Sequence, residues 1–126
     1  MKRIIIAISI IVITLSLSLC EYITIKNNLE KYTKKLQICE DYISDNELKS
    51  MEAEIKNTEK EWQKSENFLN FFINHNEVDK IKENFQNLCF YAEINDTKAF
   101  VELCENTKRQ LLSIKERQLP YLKNIV

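Results

Sequence analysis

The feature that most limits the folds open to this chain is its lack of glycine. None of the 126 residues is glycine, and Pro120 is the only proline. Phosphate-binding loops, dinucleotide-binding turns and tight hairpins need the positive φ or the close backbone approach that glycine supplies. Asparagine can replace glycine at a single helix end, but not throughout a glycine-rich loop. The sequence therefore argues against nucleotide-binding α/β folds, against hairpin-rich β folds and against a nucleotide ligand.

Residues 4–20 form an uncharged, isoleucine-rich segment that follows Lys2 and Arg3. As a helix, this segment is roughly 25 Å long, close to the ~30 Å hydrocarbon core of a bilayer. Tyr22 adds an aromatic ring of the kind found at membrane interfaces. We therefore predict a transmembrane anchor over residues 1–25.

The charges around the anchor predict the topology of the protein. Lys2 and Arg3 lie before the apolar segment, and basic residues favour the cytoplasmic side. We expect a single-pass protein of the cell membrane with a cytoplasmic N-terminus. Residues 4–25 would contact the lipid bilayer, and residues 26–126 would form a domain outside the cytoplasm.

Two alternatives to a retained anchor remain open, and both also place the domain outside the cytoplasm. Small residues in the sequence Ser16-Leu17-Ser18 resemble the cleavage site of a signal peptide, although alanine is more usual there. Cys20 follows Leu17-Ser18-Leu19, which resembles a lipid-attachment motif, although a small residue normally replaces Leu19. A cysteine buried in the membrane is the simpler interpretation of Cys20.

The apolar residues after the anchor recur in alternating steps of three and four, which is typical of amphipathic helices. The first series would continue the anchor helix directly into the domain. We predict an all-α fold, with the transmembrane helix followed by an up-down antiparallel bundle of three to four helices. The predicted core positions are Ile25, Leu29, Tyr32, Leu36, Cys39 and Ile43; Leu48, Met51, Ile55, Thr58, Trp62, Ser65, Leu69 and Phe72; Val78, Ile81, Phe85, Leu88 and Ala92; and Phe100, Leu103, Thr107, Leu111 and Ile114.

Polar residues mark the expected helix ends. Ser44 and Glu47 form a capping-box pattern before the second helix, which we expect to run to about Asn74. The third helix would begin near Asn76, with Asp79 in its first turn. Asp96 is the predicted N-cap of the fourth helix. That helix would end before Pro120, because proline breaks a helix interior.

No residue pattern supports a specific reaction, so we do not expect an enzyme, a metal or a cofactor. His75 is the only histidine, which excludes the usual di-iron bundle with two Glu-x-x-His motifs. We expect His75 to have a structural role at a helix C-terminus, bonded to Asp79. The domain after the anchor is mildly acidic, which argues against a nucleic-acid partner.

The four cysteines are Cys20, Cys39, Cys89 and Cys104, and their spacing lacks the close pairs that zinc sites use. Cys89 and Cys104 lie at similar heights on either side of the predicted turn near Asp96. They are a candidate disulfide if the domain lies in an oxidising compartment. Buried free thiols are the default expectation.

Trp62 and the cluster of Phe68, Phe71, Phe72 and Ile73 are expected to belong mainly to the core. If a ring of this region faces water, it would mark a partner surface. The candidate interaction surface therefore comprises Trp62, Phe68, Phe71 and His75.

The chain resembles an uncharacterised family of small, membrane-anchored helical proteins of low-GC Gram-positive bacteria, known only as a domain of unknown function. The resemblance depends on the Lys-Arg start before the isoleucine-rich segment, on Trp62 followed by Phe68, on residues 72–79 with Ile81, and on the closing residues 122–126. Asn74 stands where the family usually has aspartate. The resemblance implies an anchored helical domain and no particular activity.

These observations lead to two functional hypotheses. The first is a non-enzymatic, membrane-anchored interaction or scaffold protein of the cell envelope, with an unidentified membrane or envelope protein as its partner. The second is a small-molecule or peptide binder that uses the aromatic region near His75 as a pocket. In the second case, the domain could also be released by signal cleavage or anchored by lipid at Cys20.

Overall fold

The described chain is all-α, which confirms the predicted fold class. A computed structural model describes the backbone of residues 1–125 and the side chains of residues 1–117. Its helices are α1 (Lys2–Ser44), α2 (Leu48–Leu69), α3 (His75–Glu93) and α4 (Thr97–Ile125). Short turns join them, so that successive helices run antiparallel.

The helices form the predicted up-down bundle. Helix α1 packs against α2 and α4, and α3 packs against the same two helices from the other side. This arrangement gives four helix–helix interfaces around one core. The buried apolar side chains are Ile25, Leu29, Tyr32, Leu36, Cys39, Met51, Ile55, Trp62, Leu69, Ile73, Val78, Ile81, Phe85, Leu88, Cys89, Ala92, Phe100, Cys104, Leu111 and Ile114.

The core follows the spacing predicted from the sequence. Most of the predicted core positions are buried, and Ile43, Leu48, Phe72 and Leu103 are partly buried against them. Thr58 and Thr107 also lie in the core, where each hydroxyl donates to the backbone carbonyl four residues earlier. These bonds satisfy the hydroxyls, so threonine can replace an apolar residue there.

Helix α1 has two parts with different surroundings. Its first buried residue is Ile25, and from there to Ser44 it forms one side of the bundle. Before Ile25 it continues as the same unbroken helix, with most of its side chains exposed. The expected continuity between the apolar segment and the first bundle helix is thus confirmed.

The predicted start of α2 was wrong. Ser44 is still the last residue of α1, which ends before Asn46, a residue with a positive φ of 59°. Glu47 occupies the N-cap of α2 without a side-chain capping bond. The capping box is not formed because α1 extends over the serine that would have begun it.

The turn between α2 and α3 also differs from expectation. Helix α2 ends at Leu69 rather than near Asn74, and the backbone N–H of Ile73 donates to the Leu69 carbonyl at 2.8 Å. This turn buries Ile73 in the core. Asn74, not Asn76, caps α3, because its side chain accepts a hydrogen bond from the backbone N–H of Asn76 at 2.9 Å.

The fourth helix begins as predicted but ends later. The carboxylate of Asp96 accepts a hydrogen bond from the backbone N–H of Ala99 at 3.2 Å, so Asp96 caps α4. The helix then continues past Pro120 to Ile125, which corrects the expected end. Proline removes one hydrogen bond and crowds the preceding turn, at a cost of about 3 kcal/mol, but it does not prevent later residues from bonding helically.

Candidate functional site

The first part of α1 exposes a continuous apolar surface. The side chains of Ile4, Ile8 and Ile11 are 64%, 55% and 58% exposed, and the apolar exposure continues to Ile23 at 46%. Helix α1 is the one helix of the described chain that is long and apolar enough to cross a membrane. Residues 4–23 of a helix are about 30 Å long, which matches a hydrocarbon core.

Two hydroxyl side chains within this surface form hydrogen bonds to the backbone of α1. The hydroxyl of Ser9 donates to the Ile5 carbonyl and that of Thr14 to the Ile10 carbonyl, each at 2.8 Å. An unsatisfied hydroxyl in lipid would be costly. These bonds lower the cost of placing Ser9 and Thr14 in an apolar solvent.

Trp62 lies at the centre of the bundle and not on the candidate interaction surface. Its side chain is 1% exposed, and its ring centroid lies 4.9 Å from Tyr32 and 5.5 Å from Phe85. The hydroxyl of Tyr32 is 2.7 Å from the Ser65 hydroxyl, which gives the buried phenol a partner. The expectation that Trp62 packs in the core is confirmed, and it is removed from the candidate surface.

A cluster of phenylalanines at the α2–α3 turn does face solvent. We call Phe68, Phe71 and Phe72 the turn patch. Phe72 is partly buried against the core, Phe68 is 39% exposed and Phe71 is 84% exposed. The Phe72 centroid lies 5.1 Å from Phe68 and 6.4 Å from Phe71. The expectation that these rings belong mainly to the core was therefore wrong for Phe71, which projects into solvent beside the partly buried Phe72.

His75 lies beside the turn patch, but at the start of a helix rather than at a helix C-terminus. Asn74 ends the turn, so His75 is the first residue of α3. Its Nε2 lies 3.1 Å from the Asp79 carboxylate, as expected, and its Nδ1 lies 3.3 Å from the Asn70 side-chain oxygen. Both ring nitrogens thus have partners on an exposed surface.

Cys89 and Cys104 are buried free thiols that face different helices. The Cys89 thiol donates to the Glu59 carboxylate on α2 at 3.0 Å. Cys104 lies near Cys39 of α1. Burial, and then the nearby Cys39, raises the pKa of Cys104. The Cys89–Cys104 disulfide is not formed, and the neighbour of Cys104 is a cysteine for which the sequence suggested no partner.

Ion pairs cross all four helix–helix interfaces. Glu61 of α2 accepts from Lys31 and Lys35 of α1 at 3.1 and 2.9 Å. Lys108 and Lys115 of α4 contact Glu40 and Glu30 of α1 at 3.1 and 2.9 Å. The remaining interfaces carry the pairs Lys56–Glu93 and Arg117–Glu77. Some of the charged side chains on the helix surfaces thus form ion pairs between helices. The periodicity of the sequence did not predict these pairs.

Two shallow grooves, each of about 290 Å³, lie along the bundle. One runs between α1 and α4 beside Leu29 and Lys108, and the other between α3 and α4 beside Lys80 and Gln110. Phe68, Phe71 and His75 line neither groove. Within the described residues, no cluster of three or more metal-ligating side chains is assembled.

Together, these features define a class of protein: a four-helix bundle with one helix extended as an exposed apolar rod. The chain belongs to the DUF4363 family, a domain of unknown function, whose match covers residues 19–125. The expected membership of a domain-of-unknown-function family is thereby confirmed. No curated protein and no solved structure matches the chain.

Proposed function

We propose that this chain is a single-pass membrane protein whose helical bundle serves as a non-enzymatic interaction or scaffold domain outside the cytoplasm. The observation that carries this proposal is the division of α1 into an uncovered apolar half and a packed half, without a break between them. An apolar rod of about 30 Å is costly in water and stable in lipid. The continuous helix would hold the bundle directly at the bilayer.

The orientation follows from the charges at the start of the chain. Lys2 and Arg3 precede the apolar half and favour a cytoplasmic N-terminus. The bundle would then lie outside the cytoplasm, where we expect an unidentified membrane or envelope protein to be its partner.

The environments of the thiols and the histidine support a non-enzymatic role. A nucleophilic cysteine needs a lowered pKa, whereas burial raises the pKa of Cys39 to about 12. His75 is engaged by Asp79 and Asn70, and neither a serine nor a cysteine side chain is among its hydrogen-bond partners. A binding pocket built from the aromatic turn has less support, because neither groove includes those rings.

Flotation with lipid vesicles tests the anchor. We expect the full chain to float with vesicles, and Ile11→Lys with Ile13→Lys to reduce this strongly, because each lysine near a bilayer centre costs about 3 kcal/mol. A matched control is Ile38→Lys with Ile94→Lys, since these isoleucines are 41% and 52% exposed on the bundle. Equal flotation of both double variants would contradict the anchor.

The topology and the scaffold role need separate tests. Externally added protease should digest the bundle in intact cells, and digestion only in inverted vesicles would reverse the orientation. The intact mass of the membrane-bound protein distinguishes a retained anchor from cleavage or from lipid at Cys20. A pull-down from detergent-solubilised membranes should recover a partner protein, and repeated recovery of the chain alone would count against a scaffold.

A further inference from the structure

The turn patch lies at the same end of the bundle as the apolar half of α1. Helix α2 runs antiparallel to α1, with Lys31 paired to Glu61 and Tyr32 bonded to Ser65. Continuing this register, Leu69 at the end of α2 lies level with about residues 23–28 of α1, because both helices rise equally per residue. Asn70 keeps helical backbone angles, so the chain continues in the same direction and Phe71 lies level with about residues 21–26. The turn between α2 and α3 therefore lies at about the height where α1 would enter the bilayer.

The heights of the patch and of the membrane boundary agree closely. The exposed apolar surface of α1 ends at Ile23, and Ile25 is already buried in the bundle. Phe71 thus lies within about 5 Å of that boundary along the helix axis. The headgroup layer on each side of a bilayer is about 5 to 7 Å thick, so the Phe71 ring would reach it.

The chemistry of the turn suits a lipid interface. Residues 67–76 contain no lysine, arginine, aspartate or glutamate, although these residues make up 29% of the whole chain. Asn70 and His75 flank the rings with groups that form hydrogen bonds. The turn can therefore bury its rings without removing a lysine, arginine, aspartate or glutamate side chain from water.

The ring of Phe71 is connected to the core through its packed neighbours. Phe72 packs against the core and against both Phe68 and Phe71, and Ile73 beside it is 5% exposed. An isolated ring on a mobile loop would lose more conformational freedom when it became immobilised.

We infer that the turn patch, with Phe71 at its tip, inserts into the headgroup layer of the bilayer and forms a second membrane contact beside α1. This inference depends on the proposed anchor, since the anchor sets the height of the turn. The contact would fix the tilt and rotation of the bundle on the membrane. The occupant of the patch is lipid rather than a second copy or a partner protein.

Quenching by brominated lipids in vesicles tests this inference in the full chain. Phe71→Trp should give blue-shifted emission that falls when the lipids carry bromine near the top of their acyl chains. Phe90→Trp is the matched control, because Phe90 is 55% exposed near the opposite end of the bundle, and its emission should respond only to an aqueous quencher. Trp62, which is 1% exposed, gives a background that the unaltered chain measures.

The outcomes separate the inference from the anchor. In one outcome, the chain floats with vesicles, but the aqueous quencher acts on the indole of Phe71→Trp as strongly as on that of Phe90→Trp. This outcome would support the anchor and overturn the second contact. Shielding of the Phe71→Trp indole from both quenchers would place the patch under protein and would also overturn it. Failure of the full chain to float would overturn the anchor and the contact together.

Discussion

The side chains that matter most at the residue scale are the aromatic ones, because nearby positions of the chain have opposite environments. Trp62 and Phe71 lie nine positions apart, yet the first is 1% exposed and the second 84% exposed. Helical spacing predicted that Trp62 would join the core. The same spacing did not predict that Phe71 is exposed, because α2 ends at Leu69 and helical spacing no longer applies beyond it.

Truncation of these two aromatic residues should therefore have very different effects. Trp62→Ala removes a ring that packs on Tyr32 and Phe85, and we expect a loss of about 3 to 5 kcal/mol in the free energy of unfolding. Phe71→Ala should change it by no more than about 0.5 kcal/mol. Chemical denaturation followed by circular dichroism measures both, and similar losses would contradict the burial of Trp62 and the exposure of Phe71.

The cysteines of the bundle should be unreactive in the folded protein. Burial raises the pKa of Cys39, Cys89 and Cys104, and only the thiolate reacts rapidly with alkylating reagents. We expect negligible modification by iodoacetamide near neutral pH and full modification in denaturant, measured by mass spectrometry. Ser50→Cys, at an exposed position of α2, provides a reactive control. Rapid modification of a native bundle cysteine would be inconsistent with this structure.

At the element scale, asparagine and aspartate cap the helices where a glycine-free chain must turn. Asn46 and Asn95 adopt positive φ values of 59° and 57°, which asparagine tolerates better than most residues. Asn74 and Asp96 then supply side-chain acceptors at the starts of α3 and α4. At the helix ends with positive φ, asparagine thus occupies positions where other bundles often have glycine.

A comparison of two asparagines tests the cap of α3. Asn74→Ala should lower the free energy of unfolding by about 1 kcal/mol, because the backbone N–H of Asn76 loses its acceptor. Asn76→Ala should have an effect below about 0.5 kcal/mol, since its side chain is exposed and is not the cap. Thermal or urea denaturation measures both, and the reverse order would restore Asn76 as the start of the helix.

At the scale of the whole molecule, charges between helices make stability depend on pH. The hydrogen bond from Lys35 lowers the pKa of Glu61, and the bond from Lys115 lowers the pKa of Glu30. A carboxyl group with a lowered folded-state pKa stabilises the protein above its ordinary pKa of 4.5, and this contribution is lost as the pH falls through the folded value. Burial raises the pKa of Glu40, which acts in the opposite direction.

Glu61→Gln isolates one of these contributions. We expect the variant to be less stable than the unaltered protein by up to about 1 kcal/mol near neutral pH, because Glu61 joins two lysines on a partly exposed surface. The difference should shrink as the pH falls below 4.5. Glu102→Gln is the control, since Glu102 is exposed and forms no ion pair among the described side chains. A difference that stays constant with pH would rule out this assignment.

The sequence by itself determined the helices, their core positions and the apolar segment. These features depend on the spacing of apolar side chains along one helix and on the transfer of a long apolar run from water, which both act locally. The absence of glycine argued against nucleotide-binding α/β folds and hairpin-rich β folds, and the position of Asp96 located one helix start.

Only the tertiary structure decided which residues meet across helices and where several helices end. Cys104 neighbours Cys39 rather than Cys89, and Phe71 is exposed beside a buried Ile73. These outcomes depend on the rotation and register of whole helices, which are fixed by the summed packing of all four. Because the packing energy is spread over many contacts, the residue type at a single position does not reveal which residues meet across helices.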